Sequence, residues 1–344
     1  MSSMLLSLIR DPNVVAGWGT REWSDVLPRL RSAGMAAQAA VLLERAGVPS
    51  ASLPPSVQRQ LTAAALLSAT QLRSLRWELG EITRALRGVG VTAVPLKGAD
   101  FLLRGVLPAQ GRFVTDLDLL VAPANLRVVA EALDRGGWEV TGEVVVTTGH
   151  QLPVFVHRVR GTLLDLHHQV VGAGGAVTLD VAELLASAAP LGDGTLALLR
   201  DEDTVLVTVA HFVRNKRPVS AFRDLLDLVH LVEAFAGGNA NFESRLVARA
   251  ATVGMAKGLA RAVRDAVTLF GRCGDGRLIA WSAGHAALPA GGTALALVPD
   301  GATLPGATIR LARLGRMYAR MRSTRSPVDA AVSAWQVARG GEEA

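Results

Sequence analysis

The chain has 344 residues, of which half are hydrophobic and 19% are charged. A chain this long and this apolar can bury a sizeable core, which excludes disorder throughout, and its length suits two or three domains. The formal charge of +6 does not by itself indicate a nucleic-acid partner, and the single cysteine, Cys273, excludes a disulfide framework and any zinc site built on several thiolates.

Residues 1–90 read as a helical region. Residues 23–33 and 36–45 are short candidates, and breaks follow at Gly47-Val48-Pro49 and Leu53-Pro54-Pro55. A long helix is predicted over 56–87, with Leu61, Leu72, Leu75, Leu79, Ile82 and Leu86 largely at three- and four-residue spacing, and Gly88 and Gly90 ending it. The pattern then changes to a compact α/β unit over 91–171. Strands are predicted at 91–96, 115–121, 144–148, 153–157 and 162–167, with a Lys97-Gly98 turn, a short helix over 99–103 and a helix over 123–135. Helices return over 172–272, including 203–213 and 221–235. Residues 273–344 form a C-terminal extension with Gly- and Pro-rich turns and an Arg-rich helix over 309–322.

The first ten residues lack a basic n-region and a cleavage site, so no signal peptide is expected. The most apolar later stretch, 278–298, is interrupted by His285, Pro289 and Gly291-Gly292, which makes a poor membrane span. The expectation is a cytoplasmic protein that does not enter a membrane. Only Lys97, Lys216 and Lys257 are lysines, and the other 33 basic residues are arginines. With so many alanines and glycines this reads as the codon bias of a GC-rich genome, so Arg-richness is not taken as a functional signal.

The strongest chemical signal is Asp116-Leu117-Asp118 within a strand. Alternation puts Asp116 and Asp118 on one face, with Leu117, Leu119 and Val121 on the other. Two carboxylates on one face repel unless a cation lies between them, and hard oxygen ligands suit Mg²⁺. About twenty residues earlier, Leu96-Lys97-Gly98 ends a strand and opens a helix, an arrangement of backbone N–H groups and a lysine that can cradle phosphate. Downstream, Leu163-Leu164-Asp165-Leu166-His167 places a third carboxylate on another apolar strand, which is costly unless it is paired or binds a metal.

This constellation resembles the DNA polymerase β-like nucleotidyltransferase superfamily, and within it a bacterial family of uncharacterised nucleotidyltransferases. The resemblance rests on Leu96-Lys97-Gly98, on Arg112 ahead of Asp116-Leu117-Asp118-Leu119-Leu120-Val121, and on Leu164-Asp165-Leu166-His167. His211, Arg223, Asp224 and Asp227 resemble a helical Arg-x-x-x-Asp region that follows the core in that family. It implies an α+β fold, with a small mixed sheet and helices as the core between helical flanks. It also implies transfer of NMP from NTP with release of pyrophosphate, with Mg²⁺ or Mn²⁺ as cofactor. Asp116 and Asp118 would hold two metals and Asp165 one of them, with Asp165 a candidate to take the acceptor's proton. Lys97, Gly98 and Arg112 would hold the triphosphate. The family's frequent association with ribosomal peptide clusters implies a biosynthetic acceptor, a peptide or a small molecule.

The histidines are weaker signals. His167 shares a face with Asp165 and is a candidate for the acceptor side, as are His150, His211 and Asp224. His168 faces the other way and reads as structural. A zinc set of Asp165, His167 and His150 is disfavoured by the three carboxylates, which suit a harder metal. Asp224 and Asp227, at i and i+3 on one helix, read first as a solvated face and second as part of a cleft. Arg310, Arg313, Arg316 and Arg320 form a basic stripe that is either a solvated face or a docking surface for tRNA or an acidic partner. The alternatives to a small or peptide acceptor are a toxin-like enzyme acting on tRNA, a phosphotransferase, and a non-catalytic binding protein on the same fold. The sequence leaves the oligomeric state and Cys273 without an assignment.

Overall fold

The computed structural model describes residues 4–141, 151–171, 178–214 and 218–285. The predicted strand at 144–148, His150, the loop at 172–175 and the Arg-rich helix with its stripe lie outside the described residues.

Four helices come first: α1 (Met4–Arg10), α2 (Thr20–Ser32), α3 (Ala36–Arg45) and the long α4 (Pro55–Arg87). Pro55 sits at the first position of α4, where a missing N–H is tolerated. Its apolar residues are buried at both ends, through Val57 and Leu61 and through Leu75, Leu79, Ile82 and Leu86, while Leu66 and Leu67 in the middle are exposed. The α/β part follows as β1 (Val94–Leu96), α5 (Lys97–Arg104), β2 (Asp116–Leu120), α6 (Leu126–Arg135), β3 (Trp138–Val140), β4 (Phe155–His157) and β5 (Leu163–His167). These strands form one mixed sheet in the order β1-β2-β5-β4-β3. Strand β1 runs antiparallel to β2, β2 and β5 are parallel, and β4 is antiparallel to both β5 and β3. The fold class is therefore α+β, as expected.

Beyond the sheet come β6 (Val170–Val171), β7 (Thr178–Leu179), α7 (Val181–Ser187), β8 (Ala189–Leu191) and β9 (Leu196–Leu198). The helices α8 (Asp201–Arg214), α9 (Pro218–Gly238), α10 (Phe242–Thr252), α11 (Ala256–Phe270) and α12 (Gly276–His285) complete the described chain. The β8–β9 hairpin falls where the sequence reading had only helices. Its strands are three residues long, too short to show alternation, and β9 is held by main-chain bonds between Ala93 and both Thr195 and Ala197. Apolar packing is continuous from Leu5 on α1 to Leu278 on α12. No helix among the described residues is long and apolar enough to cross a membrane.

Candidate functional site

The site grows from the register of three neighbouring strands. Asp118 pairs with Leu96 across the antiparallel β1–β2 ladder and with Asp165 across the parallel β2–β5 ladder. Leu117, Leu119, Leu164 and Leu166 are completely buried in the apolar core. The opposite phase therefore collects Asp116, Asp118, Asp165 and His167 on one face. Lys97 follows the end of β1, beside the register partner of Asp118, and its Nζ donates to Asp118 Oδ1 at 2.8 Å. His167 Nε2 donates to the same oxygen at 2.7 Å. Asp116, partly exposed, accepts from Thr115 Oγ at 2.9 Å.

Lys97 has φ +50°, the only positive value at a non-glycine among the described residues. That conformation costs about 1–3 kcal/mol and is kept where surrounding structure enforces it, often at functional positions. Here it lets the chain turn from strand directly into α5, so the helix opens at Lys97 itself, two residues earlier than expected. Gly98 is needed for packing: a Cβ there would lie 2.7 Å from Val114 Cγ2.

The charges in this cluster are unbalanced. Burial pushes the Asp118 carboxyl up, but the Lys97 ammonium and the His167 imidazole overcome it and hold Asp118 well below the usual carboxylate range. For Lys97, burial is outweighed by Asp118, Asp116 and Asp165, which together raise its pKa. Asp165 goes the other way. Burial first, then the negative charges of Asp118 and Asp116, push it up to about 7, against the pull of Lys97 and a hydrogen bond with Gln151. Asp165 Oδ1 is buried without a hydrogen-bond partner. Asp118, Asp165 and His167 each present a ligand atom within 4.8 Å of the others. A buried, unpartnered carboxylate oxygen facing a second carboxylate is what a divalent cation would satisfy, and two carboxylates suit Mg²⁺ or Mn²⁺.

The loop ahead of β2 is fixed from a distance. Gln71, in the middle of α4, accepts from the Val114 N–H at 3.1 Å and donates to the Val114 carbonyl at 2.5 Å. Ser68 Oγ donates to the Arg112 carbonyl. Gly111 has φ +78°, and a Cβ there would lie 2.6 Å from the backbone of Gln38 on α3. The middle of α4 thus holds this loop through two polar side chains.

Arg112, carried by the loop, is buried and ion-paired with Asp227 on α9, with its guanidinium 5.5 Å from the Phe101 ring centre. Burial and the neighbouring Arg223 lower its pKa to about 9, against the attraction of Asp224, Asp118 and Asp116. Asp224 is bound by His211, Nδ1 to Oδ2 at 2.8 Å. Burial raises the Asp224 carboxyl, but His211, Arg223 and Arg112 outweigh it and hold its pKa low. The solvated-face reading of Asp224 and Asp227 is corrected: both are buried, because Arg112 from the loop and His211 from α8 cover them. A second bond network joins α5 to α8: Asp100, buried, meets Arg104 at 2.7 Å and Thr204 at 2.9 Å.

The structure thus gathers Lys97, Asp118, Asp165 and His167, with Asp116 on the same face but outside the converging group, and Arg112 within reach of its charge. His211 and Asp224 form a separate pair reached through Arg112. His168 is buried with neither ring nitrogen partnered. Burial, then the neighbouring His167, lowers its pKa, so it is neutral packing material as expected. Cys273 is buried near Glu233 and Glu243, where burial pushes its thiol up. Gln71, Ser68 and Gln151 were missed, since a polar residue on a helix or in a loop carries no signal of its distant partner.

A family model described as "Uncharacterised nucleotidyltransferase" matches residues 19–271. No curated protein and no solved structure matches the chain. The match takes in the sheet, the loop of Arg112 and the helices carrying His211 and Asp227, and it begins at Gly19, just ahead of α2 and well before the motifs that carry the resemblance. The buried Asp118–Asp165–His167 group fits a nucleotidyl-transfer role. The chain belongs to the uncharacterised nucleotidyltransferase family.

Proposed function

We propose that the protein transfers a nucleoside monophosphate from a nucleoside triphosphate to an acceptor and releases pyrophosphate. The observation that carries this reading is the parallel register of Asp118 and Asp165, with Asp116 on the same face and one Asp165 oxygen buried without a hydrogen-bond partner. Asp116, Asp118 and Asp165 would hold Mg²⁺ or Mn²⁺, which when bound neutralises charge on the phosphates and acidifies the acceptor hydroxyl. Lys97 and Arg112 bring positive charge to the phosphate chain, and the Gly98 backbone lies at the start of α5 beside them. Asp165 is the residue suited to take the acceptor's proton. Its Oδ1 is buried and carries no hydrogen bond, which leaves it open to a proton. His211, fixed through Nδ1 by the buried Asp224, is the candidate to orient the acceptor, with His167 as a partner on the sheet side.

We infer a small-molecule or peptide acceptor rather than tRNA, because the net charge is modest. The resemblance points to a biosynthetic setting, such as ribosomal peptide modification, and the N-terminal sequence to the cytoplasm. The test is incubation with Mg²⁺ or Mn²⁺, each NTP in turn and a panel of acceptors. Label from the α-phosphate on the acceptor is the expected result. Label from the γ-phosphate would replace this reading with phosphotransfer, and no turnover with any NTP would favour a binding protein.

A further inference from the structure

Arg223 lies one turn before Asp227 on α9, so the two side chains share a face of that helix. Arg112 is ion-paired with Asp227 and therefore stands on the same face. The two guanidiniums feel each other: after burial, the charge of Arg223 is the largest influence on Arg112. Arg112 has a carboxylate in contact. Among the described residues, Arg223 has none, and its Nε is buried with no hydrogen-bond partner. Asp224 is next to Arg223 in sequence, but one of its carboxylate oxygens is taken by His211. A buried guanidinium N–H without an acceptor is costly, and two adjacent guanidiniums add repulsion to that cost. Both penalties disappear if an oxyanion binds between them. The neighbourhood points to the anion, because Arg112 also feels the charge of Asp118 and Asp116, the carboxylates that would hold a metal-bound phosphate.

We propose that Arg223 on α9 and Arg112 on the loop before β2 form a paired guanidinium site for the phosphate chain of the nucleotide. The planar forks of two arginines match a polyphosphate, whose oxygens are spread over several phosphorus centres. The site straddles the sheet and the helical segment, so α9 takes part in nucleotide recognition and does more than cover the core. The site would favour triphosphates and pyrophosphate over nucleosides and monophosphates. This rests on the reading of the carboxylate cluster as a nucleotide site.

The experiment measures binding of ATP, inorganic tripolyphosphate and AMP by calorimetry in the presence of Mg²⁺ and without acceptor. It uses the wild-type chain, Arg223→Gln and Arg223→Lys. The expected result is a loss of at least about tenfold in affinity for ATP and tripolyphosphate in Arg223→Gln, with AMP unaffected and Arg223→Lys between the two. Should Arg223→Gln fail to fold, modification of wild-type arginines by phenylglyoxal, read by mass spectrometry, gives the same information. Tripolyphosphate is expected to protect Arg223. Unchanged affinities, or no protection, overturn the proposal while leaving the nucleotide reading intact. Binding of tripolyphosphate through Arg223 with no gain for ATP keeps the anion site and overturns the nucleotide reading. No binding of either ligand to the wild type overturns both.

Discussion

Asp203, on α8, is completely buried, and each of its carboxylate oxygens meets a guanidinium: Oδ2 lies 2.7 Å from Arg200 Nε and Oδ1 lies 2.8 Å from Arg249 Nε. Asp165, on β5, has one oxygen with no partner and two negative neighbours, and its pKa rises to about 7. The helical part closes the charge of its aspartate with Arg200, just ahead of α8, and with Arg249 from α10. The sheet gathers carboxylates, and the cationic or imidazole partners Lys97 and His167 both go to Asp118. A buried acid that is fully paired serves the fold, whereas one left under-satisfied at a stability cost serves chemistry.

The largest expected effect falls on the under-satisfied side. Asp165→Asn removes the proposed base but preserves shape, and turnover is expected to drop by about 10²–10⁴-fold while NTP binding persists. Single-turnover assays paired with calorimetry separate the two quantities, and full activity in the variant would remove Asp165 from the mechanism. The double substitution Asp116→Asn with Asp118→Asn is expected to abolish the rise in melting temperature that Mg²⁺ with NTP produces. A shift that survives in the double variant would place the metal site elsewhere.

The paired aspartate is expected to behave in the opposite way. Asp203→Ala leaves Arg249 buried without its main partner, although Glu183 still contacts both Arg249 and Arg200. A loss of about 3 kcal/mol is expected in urea unfolding, at the lower end for breaking a buried pair, because Glu183 remains. Activity per folded molecule should be unchanged. A variant as stable as the wild type but inactive would show that the comparison is drawn in the wrong place.

Acid dependence sharpens the same contrast. The Asp165 carboxyl titrates near 7 in the fold, against about 4 in an unfolded chain. Between those values the native state holds the extra proton, so this group's stabilising contribution is complete below pH 4 and is lost as pH rises to 7. Asp118 is shifted down and Lys97 up, so both change stability only outside this window. Asp100, raised to about 6, slopes the same way as Asp165, so the difference between proteins is the useful quantity. Metal-free melting curves from pH 4.5 to 8 should fall less for Asp165→Asn than for the wild type. Parallel curves would mean that Asp165 is not strained in the native state.

The parts of this contrast that could be read from sequence are those written in local periods. Alternation put Asp116 and Asp118 on one face and the leucines on the other, and the rarity of lysine drew attention to Lys97 beside Gly98. Asp165 stood out because a charge between leucines on a strand needs a reason. Partnerships across long separations were not legible. Asp224 and Asp227 look like an ordinary solvated helix face until Arg112, more than a hundred residues earlier, is placed over one and His211 over the other. The β8–β9 hairpin depends on pairing with Ala93, which its own short strands do not announce. The middle of α4 shows only leucines off the helical stripe, with no indication that Gln71 and Ser68 reach the loop of the site.

Gln71 provides the smallest and most specific test. Its amide meets both main-chain groups of Val114, two residues before Asp116, so it fixes the loop that positions the first carboxylate. Gln71→Ala removes both bonds. Because the partners are backbone groups at a partly exposed loop, which water can reach, the stability loss should be only about 1–2 kcal/mol. The functional loss should be larger than that figure suggests, since a small displacement of Asp116 and Arg112 misplaces both ends of the site. Gln71→Glu keeps an acceptor for the Val114 N–H but sets a carboxylate oxygen against the Val114 carbonyl, and should lose at least as much as Gln71→Ala. Melting temperature and metal-dependent NTP affinity measured on the three proteins check this order. If Gln71→Ala matches the wild type in both, the loop is held without Gln71, by the packing of Gly111 and Gly98 and by the Ser68 bond to the Arg112 carbonyl.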